Sequence, residues 1–243
     1  MDILKGQKIT ILGANGSGKS TLLQLLDGLI FPDKGSIFAF DRQLNEEVLN
    51  DEAFSRKFRS KVGFVFQNPD VQLFCPTVEE DISFGPLHLG VNLDVVKKRV
   101  NDLADSLGIM SLLRRSAHQL SVGEKRKVAI ASTLAVDPEV LLLDEPTAGL
   151  DPQTARHIID IIIEANARGK TIITATHDLH IVEEIADTIY IMSNEKKIAK
   201  SGATQVLLAD LDLLKTHNLM HVHRHKHKDE AHIHSHQHLD HHT

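Results

Sequence analysis

An α/β domain built on a parallel sheet core is what this chain predicts, and three observations carry that expectation. Short apolar runs of strand-forming residues occupy positions 9–12, 140–143 and 171–176. From residue 136 onward such runs alternate with segments of helical apolar spacing, the order of a parallel α/β sheet. The run at 140–143, Val-Leu-Leu-Leu, has no polar face, which suits a strand buried on both sides.

The elements follow in order. Residues 9–12 predict a strand, and a helix runs from Ser20 to about Leu29 on a stripe of leucines. Pro32, Asp33, Lys34 and Gly35 break it. A short strand is expected over 36–40, a partly helical polar stretch over 45–59, and a strand over 61–66 that stops at a Gln67-Asn-Pro-Asp turn. Residues 77–135 read as mostly helical. Thr77 with Glu80 has capping-box spacing, 93–107 has helical periodicity, and another helix starts at Ser121. Helix over 153–167, strand over 171–176, helix over 179–186 and strand over 188–193 complete the core. The helical block between Gln67 and Ala135 reads as an insertion in that core.

Composition narrows the functional classes. At 243 residues the chain is one large domain or a core with a sub-domain. Its net charge of −6, with no basic block outside the tail, argues against a nucleic-acid partner. The lone cysteine, Cys75, forms no internal disulfide and fits a reducing compartment. Asp2, Lys5 and Lys8 interrupt any early apolar run, so no signal peptide is expected. No stretch approaches the roughly 18 apolar residues of a membrane span. Any role at a membrane is therefore expected through partners.

The stretch from Lys8 to Thr21 carries the chemistry. Gly13, Gly18, Lys19 and Ser20 fit G-x-x-x-x-G-K-[ST] between a predicted strand and a predicted helix, the context this phosphate-binding loop requires. Glycines let backbone N–H groups line an anion site that a Cβ would obstruct. The helix start adds a positive end, Lys19 brings a charge to the terminal phosphates, and Ser20 offers a hydroxyl to Mg²⁺. The loop implies a nucleoside triphosphate.

Further candidates stand where predicted strands end, the place where ligands collect in open α/β sheets. Asp144 is placed to hold Mg²⁺, and Glu145 to polarise an attacking water. Alone, the pair would read equally as solvated charges ending a strand. His177 follows the strand at 171–176 and reads either as a γ-phosphate contact or as a loop histidine. Gln67 offers an amide to Mg²⁺ or water, though by itself it signals nothing. Ser121 and Glu124 have capping-box spacing, and Gly123 in that first turn leaves a bare helix start suited to the phosphate of another molecule.

In this order the motifs resemble the ATPase subunit of ABC transporters. GANGSGKST at 13–21, Gln67, LSVGE at 120–124, LLLDE at 141–145, AGLD at 148–151 and His177 match that family's Walker A, Q-loop, signature, Walker B, D-loop and switch histidine. The resemblance extends to about Leu208. It implies a P-loop NTPase fold with a RecA-like parallel core (1–67 and 136–208), an inserted helical sub-domain (68–135) and a C-terminal extension (209–243). It implies ATP and Mg²⁺, with Gly13, Asn15, Gly16, Ser17, Gly18, Lys19, Ser20 and Thr21 on the phosphates. Ser20, Gln67 and Asp144 would hold Mg²⁺, and Glu145 and His177 would be catalytic. It also implies a head-to-tail dimer, homo- or heteromeric. There Ser121, Gly123 and Glu124 would meet the ATP of the other chain, Asp151 would serve as the D-loop residue, and closure would be passed to integral membrane components. Residues 65–90, with QNPDVQLF and PTVEEDISFGP, are similar to the energy-coupling-factor branch, especially cobalt and nickel uptake ATPases.

Three features depart from the family pattern. Val122 stands where glycine is usual, and Glu124 where glutamine is. Only twelve residues precede Gly13, so two antiparallel strands and an adenine-stacking aromatic expected upstream are missing. No aromatic residue precedes Phe31, and the lost stacking amounts to about 1 kcal/mol. A truncated or misassigned start is the expectation.

From His217 onward lie 11 of the chain's 16 histidines, largely in x-His alternation at 221, 223, 225, 227 and 232, 234, 236, 238. The expectation is a disordered tail, with His221, His223, His225, His227, His232, His234, His236 and His238 as candidate ligands for Ni²⁺ or Co²⁺. A jobless polar tail is the alternative. Together these readings predict a peripheral ATPase on the cytoplasmic face of the membrane that powers uptake of nickel or cobalt. A zinc or vitamin importer, a soluble ABC-type ATPase of repair or translation, and a histidine-rich metallocentre-maturation NTPase remain open.

Overall fold

The computed structural model describes the backbone of residues 1–227 and 230–236 and the side chains of residues 1–220. In chain order, β1 (Lys8–Leu12) leads to α1 (Lys19–Leu26). Next come β2 (Ile37–Ala39), β3 (Arg42–Leu44), α2 (Glu46–Asn50), α3 (Glu52–Lys61) and β4 (Val62–Val65). Three helices follow: α4 (Val78–His88), α5 (Leu93–Ser106) and α6 (Val122–Ala135). Then β5 (Val140–Asp144), α7 (Pro152–Ala167), β6 (Thr171–Thr176), α8 (Leu179–Ile185), β7 (Thr188–Met192) and β8 (Ile198–Ala203) alternate. The chain ends in α9 (Thr204–Leu208), α10 (Leu211–Thr216), β9 (His221–His227) and β10 (Glu230–His236). Two compact units arise: Met1–Gln7 with Ser20–Thr174, and Lys8–Lys19 with Ala175–Thr243.

In the first unit β4 and β5 pair in parallel, Val62 with Val140 through Val65 with Leu143. All four residues of β4 are buried, as are Leu141–Asp144 of β5. Gly63 allows a close approach: an added Cβ would lie 2.5 Å from Thr133 Cγ2 of α6 and 3.0 Å from Pro138 Cγ. Thr77 caps α4 by accepting from Glu80 N at 3.3 Å, as its spacing predicts. Helix α5 buries Val96, Val100 and Ala104, one stripe at four-residue spacing. Helix α6 is buried more widely, through Val128, Ala129, Ile130, Ala131 and Ala135, because α4 and α5 both pack on it.

The second unit pairs β1 with β7 in parallel, Ile9 with Thr188 through Leu12 with Ile191, and β7 with β8 in antiparallel fashion. Leu12, Val182, Ile189, Ile191, Leu207 and Leu214 form its core. Among the described residues no strand precedes Lys8.

Several elements differ from expectation for local reasons. The single strand expected over 36–40 is a hairpin, β2 paired with β3, turning at Phe40 (φ 51°) and Asp41 (φ 65°). Two left-handed residues make a primed turn, and Phe-Asp carries none of its usual Asn-Gly signal. Helix α1 stops at Leu26 rather than Leu29, with Gly28 at φ 65°. A Cβ on Gly28 would meet Leu49 Cδ1 at 2.5 Å. Strand β8 is almost wholly exposed and has no apolar alternation, and α9 and α10 are too short for a periodicity window.

The tail is expected to lack regular structure, yet its described backbone forms an antiparallel pair, β9 with β10. The x-His alternation has a period of two residues, which is also the period of a strand. In this register His225 lies opposite His232, His223 opposite His234, and His221 opposite His236. His238 lies outside the described residues.

One buried carboxylate gives the fold a pH signature. Asp27, 4% exposed, accepts from Arg59 Nη1 at 2.9 Å, but burial outweighs that ion pair and pushes its pKa up to about 6. The folded chain therefore holds a proton here more tightly than the unfolded chain does. The associated stability is full below about 4 and lost as pH rises through about 6, amounting to about 3 kcal/mol. Asn mimics the protonated carboxyl. Urea melts of Asp27→Asn should therefore gain on the parent by about 3 kcal/mol between pH 4 and pH 7.5.

Candidate active site

The phosphate loop is built where β1 stops. Gly13 N donates to Thr176 O at 3.3 Å, tying the loop to the end of β6. A Cβ on Gly13 would lie 2.5 Å from Ser17 Oγ and 3.0 Å from Met192 Cβ, so a side chain here would force Ser17 and Met192 to shift. Gly16 and Gly18 have φ of 80° and 98°, and nothing lies within 4 Å of a Cβ built on Gly16. These left-handed glycines turn the backbone into an open concavity. Lys19, 5% exposed, folds back to donate from Nζ to Gly13 O at 2.8 Å and Ala14 O at 3.3 Å. Ser17 Oγ is buried with no hydrogen-bond partner. Asn15 and Thr21 are exposed, and Ser20 is half-buried. His177, also half-buried, follows Thr176. Asp178 N donates to Thr176 Oγ1 at 3.1 Å, and Asp178 accepts from His180 N at 2.9 Å. These two bonds fix the backbone on either side of the histidine.

The first unit holds the other candidates. Asp144 and Glu145, each 4% exposed, end β5. Glu145 has φ of 44°, a left-handed conformation that costs a non-glycine residue on the order of 1–3 kcal/mol and redirects the chain where the strand stops. The side chain of Gln67 is exposed, but its peptide is pinned. Arg126 donates from Nη1 to Phe66 O at 2.7 Å and from Nη2 to Gln67 O at 2.6 Å. Gln72 Oε1 accepts from Phe66 N at 3.3 Å while its Nε2 donates to Ala129 O, Ser132 Oγ and Thr133 Oγ1 of α6. Burial lowers the pKa of Arg126, and the charges of Asp144 and Glu145 oppose that fall.

At the start of α6, Ser121 accepts from Glu124 N at 3.3 Å and Glu124 Oε2 accepts from Ser121 N at 2.8 Å. The capping box is complete, and its backbone bond holds the Glu124 carboxyl below the usual range. Ser121 and Val122 are exposed. A Cβ on Gly123 would sit 3.4 Å from Thr154 Cγ2 on α7, whose cap is Asp151, accepting from Thr154 N at 2.9 Å.

The residues suit Mg-ATP. The Gly13–Gly18 concavity with its buried cation fits a polyphosphate. The serine hydroxyl, carboxylate and amide of the expected Mg²⁺ set are hard oxygen donors. Among the described residues no group of three or more His, Cys, Asp or Glu is arranged to hold a metal. Mg²⁺ commonly needs no such cage, since it brings its own waters and phosphate oxygens. Bound there, it would neutralise charge on the β- and γ-phosphates.

A family model described as "ABC transporter" matches residues 1–148. The chain belongs to the ABC transporter family. It is 48% identical over 218 residues to the nickel import ATP-binding protein NikO of Rhodobacter capsulatus, covering 88% of this chain and 85% of that one. It is 41% identical over 215 residues to the energy-coupling factor transporter ATP-binding protein EcfA of Methanococcus maripaludis, covering 88% and 76%. A solved structure from Clostridium perfringens, described as part of the ABC transporter complex cbiONQ, superposes with a TM-score of 0.74. That protein is 37% identical, and the match covers 90% of this chain and 86% of that one.

This ABC protein is thus an ATP-binding subunit whose ATP hydrolysis is coupled to transport. ATPases of the family dimerise and associate with membrane components. Among the described residues no helix is long and apolar enough to cross a membrane. Gln72 and Arg126, which hold the Gln67 turn, carry no motif signal of their own. Gln72 sits inside the QNPDVQLF run, but only the fold shows that its amide plugs into α6.

Relieving the overlap of an added methyl at Gly13 costs on the order of 1–3 kcal/mol. Gly13→Ala should therefore weaken ATP binding about tenfold or more, read by calorimetry, with little change in the helical signal of the free protein.

Proposed function

We propose that this chain powers an energy-coupling-factor importer of a transition-metal cation, nickel or cobalt. The observation that carries the cargo is its 48% identity, over 88% of its length, to a nickel import ATP-binding protein. The histidine tail is consistent with it, since imidazole suits Ni²⁺ and Co²⁺.

In this reading Gly13, Asn15, Gly16, Ser17, Gly18, Lys19, Ser20 and Thr21 bind the phosphates, and Ser20, Gln67 and Asp144 hold Mg²⁺. Glu145 takes a proton from the attacking water, and His177 contacts the γ-phosphate. Ser121, Gly123 and Glu124 serve the ATP of a second ATPase, identical or related, with Asp151 alongside. The exposure of Ser121 and Val122 supports an intermolecular role for that helix tip. Val122 narrows the approach there. The complex sits on the cytoplasmic face of the membrane, joined to integral components.

The tail acts as a store or sensor for the cargo, apart from the site of hydrolysis. In the backbone register His223 lies opposite His234 and His225 opposite His232.

Two measurements test this. Glu145→Gln should lower ATP turnover by about 10²–10⁴-fold while ATP binding persists, and it should accumulate as an ATP-bound dimer on size exclusion. A variant that still turns over ATP as a monomer would end the reading. Calorimetry with Ni²⁺ or Co²⁺ should show binding that is lost on removing residues 217–243 and weakens below about pH 6.5, where imidazole protonates. Cells carrying the shortened chain should take up less labelled nickel or cobalt, and unchanged uptake would overturn the tail's role.

A further inference from the structure

Arg126 is a cation in an unusual place. It is 2% exposed and lies five residues beyond Ser121 on α6. Its two terminal nitrogens grip successive carbonyls, Phe66 O at 2.7 Å and Gln67 O at 2.6 Å, just past the end of β4. Its Nε is buried with no hydrogen-bond partner. A buried guanidinium with one donor unsatisfied is a poor route to stability, since desolvation and the orphan N–H both count against it. Nearby Asp144 and Glu145 supply the opposing charge that makes its burial tolerable. The tip of α6 and the Gln67 turn therefore meet on one side chain, within the field of the two carboxylates that end β5. A planar fork suits this task better than an ammonium, because two carbonyls can be held in fixed relation at once.

We propose that Arg126 is a positioning residue that couples the Ser121 end of α6 to the Gln67 peptide and to the carboxylates of Asp144 and Glu145. Engagement of the helix tip by the nucleotide of a second ATPase then reaches the Gln67 peptide through two rigid hydrogen bonds, and the hydrolytic carboxylate through the charge of the guanidinium. Arg126 touches no substrate. The inference rests on the roles proposed above for Gln67, Asp144 and Glu145, and is independent of the cargo.

The test compares Arg126→Met and Arg126→Lys with the parent and with Glu145→Gln, in the full-length chain. Turnover is normalised to the fraction of molecules that bind a fluorescent ATP analogue. The phosphate loop is left intact, so KM for ATP should stay within about threefold in both variants. Arg126→Met should lower kcat by about tenfold or more, the scale of a misplaced catalytic group, and bring the Hill coefficient for ATP toward one. Arg126→Lys keeps the charge but not the fork, and should recover part of kcat, remaining about three- to tenfold below the parent. A merely structural residue would lower the nucleotide-binding fraction and leave normalised kcat and cooperativity unchanged, and that result overturns the proposal. If Arg126→Met does not fold, Arg126→Lys decides: parent-like normalised kcat and cooperativity sink the proposal, and the stated loss at constant KM sustains it. Should Glu145→Gln retain full turnover while Arg126→Met does not, the assignment of Glu145 fails separately.

Discussion

A polyphosphate has to be met by backbone N–H groups at hydrogen-bonding distance, and that requirement governs the whole arrangement. It demands glycines with φ near 80° and 98° at positions 16 and 18, a third glycine where a methyl would collide with Ser17, and a lysine at the helix start. A loop of that shape cannot hold itself. It hangs between β1 and α1, is tied to the end of β6 through Gly13 and Thr176, and is braced by Lys19 reaching back to Gly13 O. The parallel pairing of β1 with β7 then fixes where the loop begins.

The helical stretch answers a different requirement. In the proposed reading helix α6 has two jobs that conflict: its tip is to remain exposed, and its body is to be anchored firmly enough to transmit a push. The capping box of Ser121 and Glu124 satisfies the tip's own backbone without help from neighbours. Farther along, Gln72 and Arg126 clamp the Gln67 turn to the helix by its N–H and C=O groups, while the Gln67 side chain is left exposed.

Much of this was legible in the residues, because the motifs are local. G-x-x-x-x-G-K-S between strand and helix, and Asp-Glu after a run of leucines, encode their structures within ten residues. The parallel strands were readable because burial on both faces leaves an unbroken apolar run. What could not be read was set by contacts distant in sequence. The Phe40-Asp41 turn puts a phenylalanine at left-handed φ, where bulky residues are rare, so its hairpin has no Asn-Gly signal. Strand β8 exists because β7 offers it hydrogen bonds, and its own sequence asks for none. Arg126 stands in sequence between Lys125 and Lys127 with no local signal of its own, and only its burial against Phe66 and Gln67 sets it apart.

The inward fold of Lys19 also bears on how this loop meets its ligand. An ammonium already lodged on a neighbouring carbonyl has surrendered most of its freedom and much of its water beforehand, so an arriving phosphate finds a stiffened receptor. Stripping that side chain away would remove a strut as well as a charge. Affinity lost on its deletion would therefore overstate the electrostatic attraction between lysine and nucleotide, because part of the deficit would come from a slackened loop.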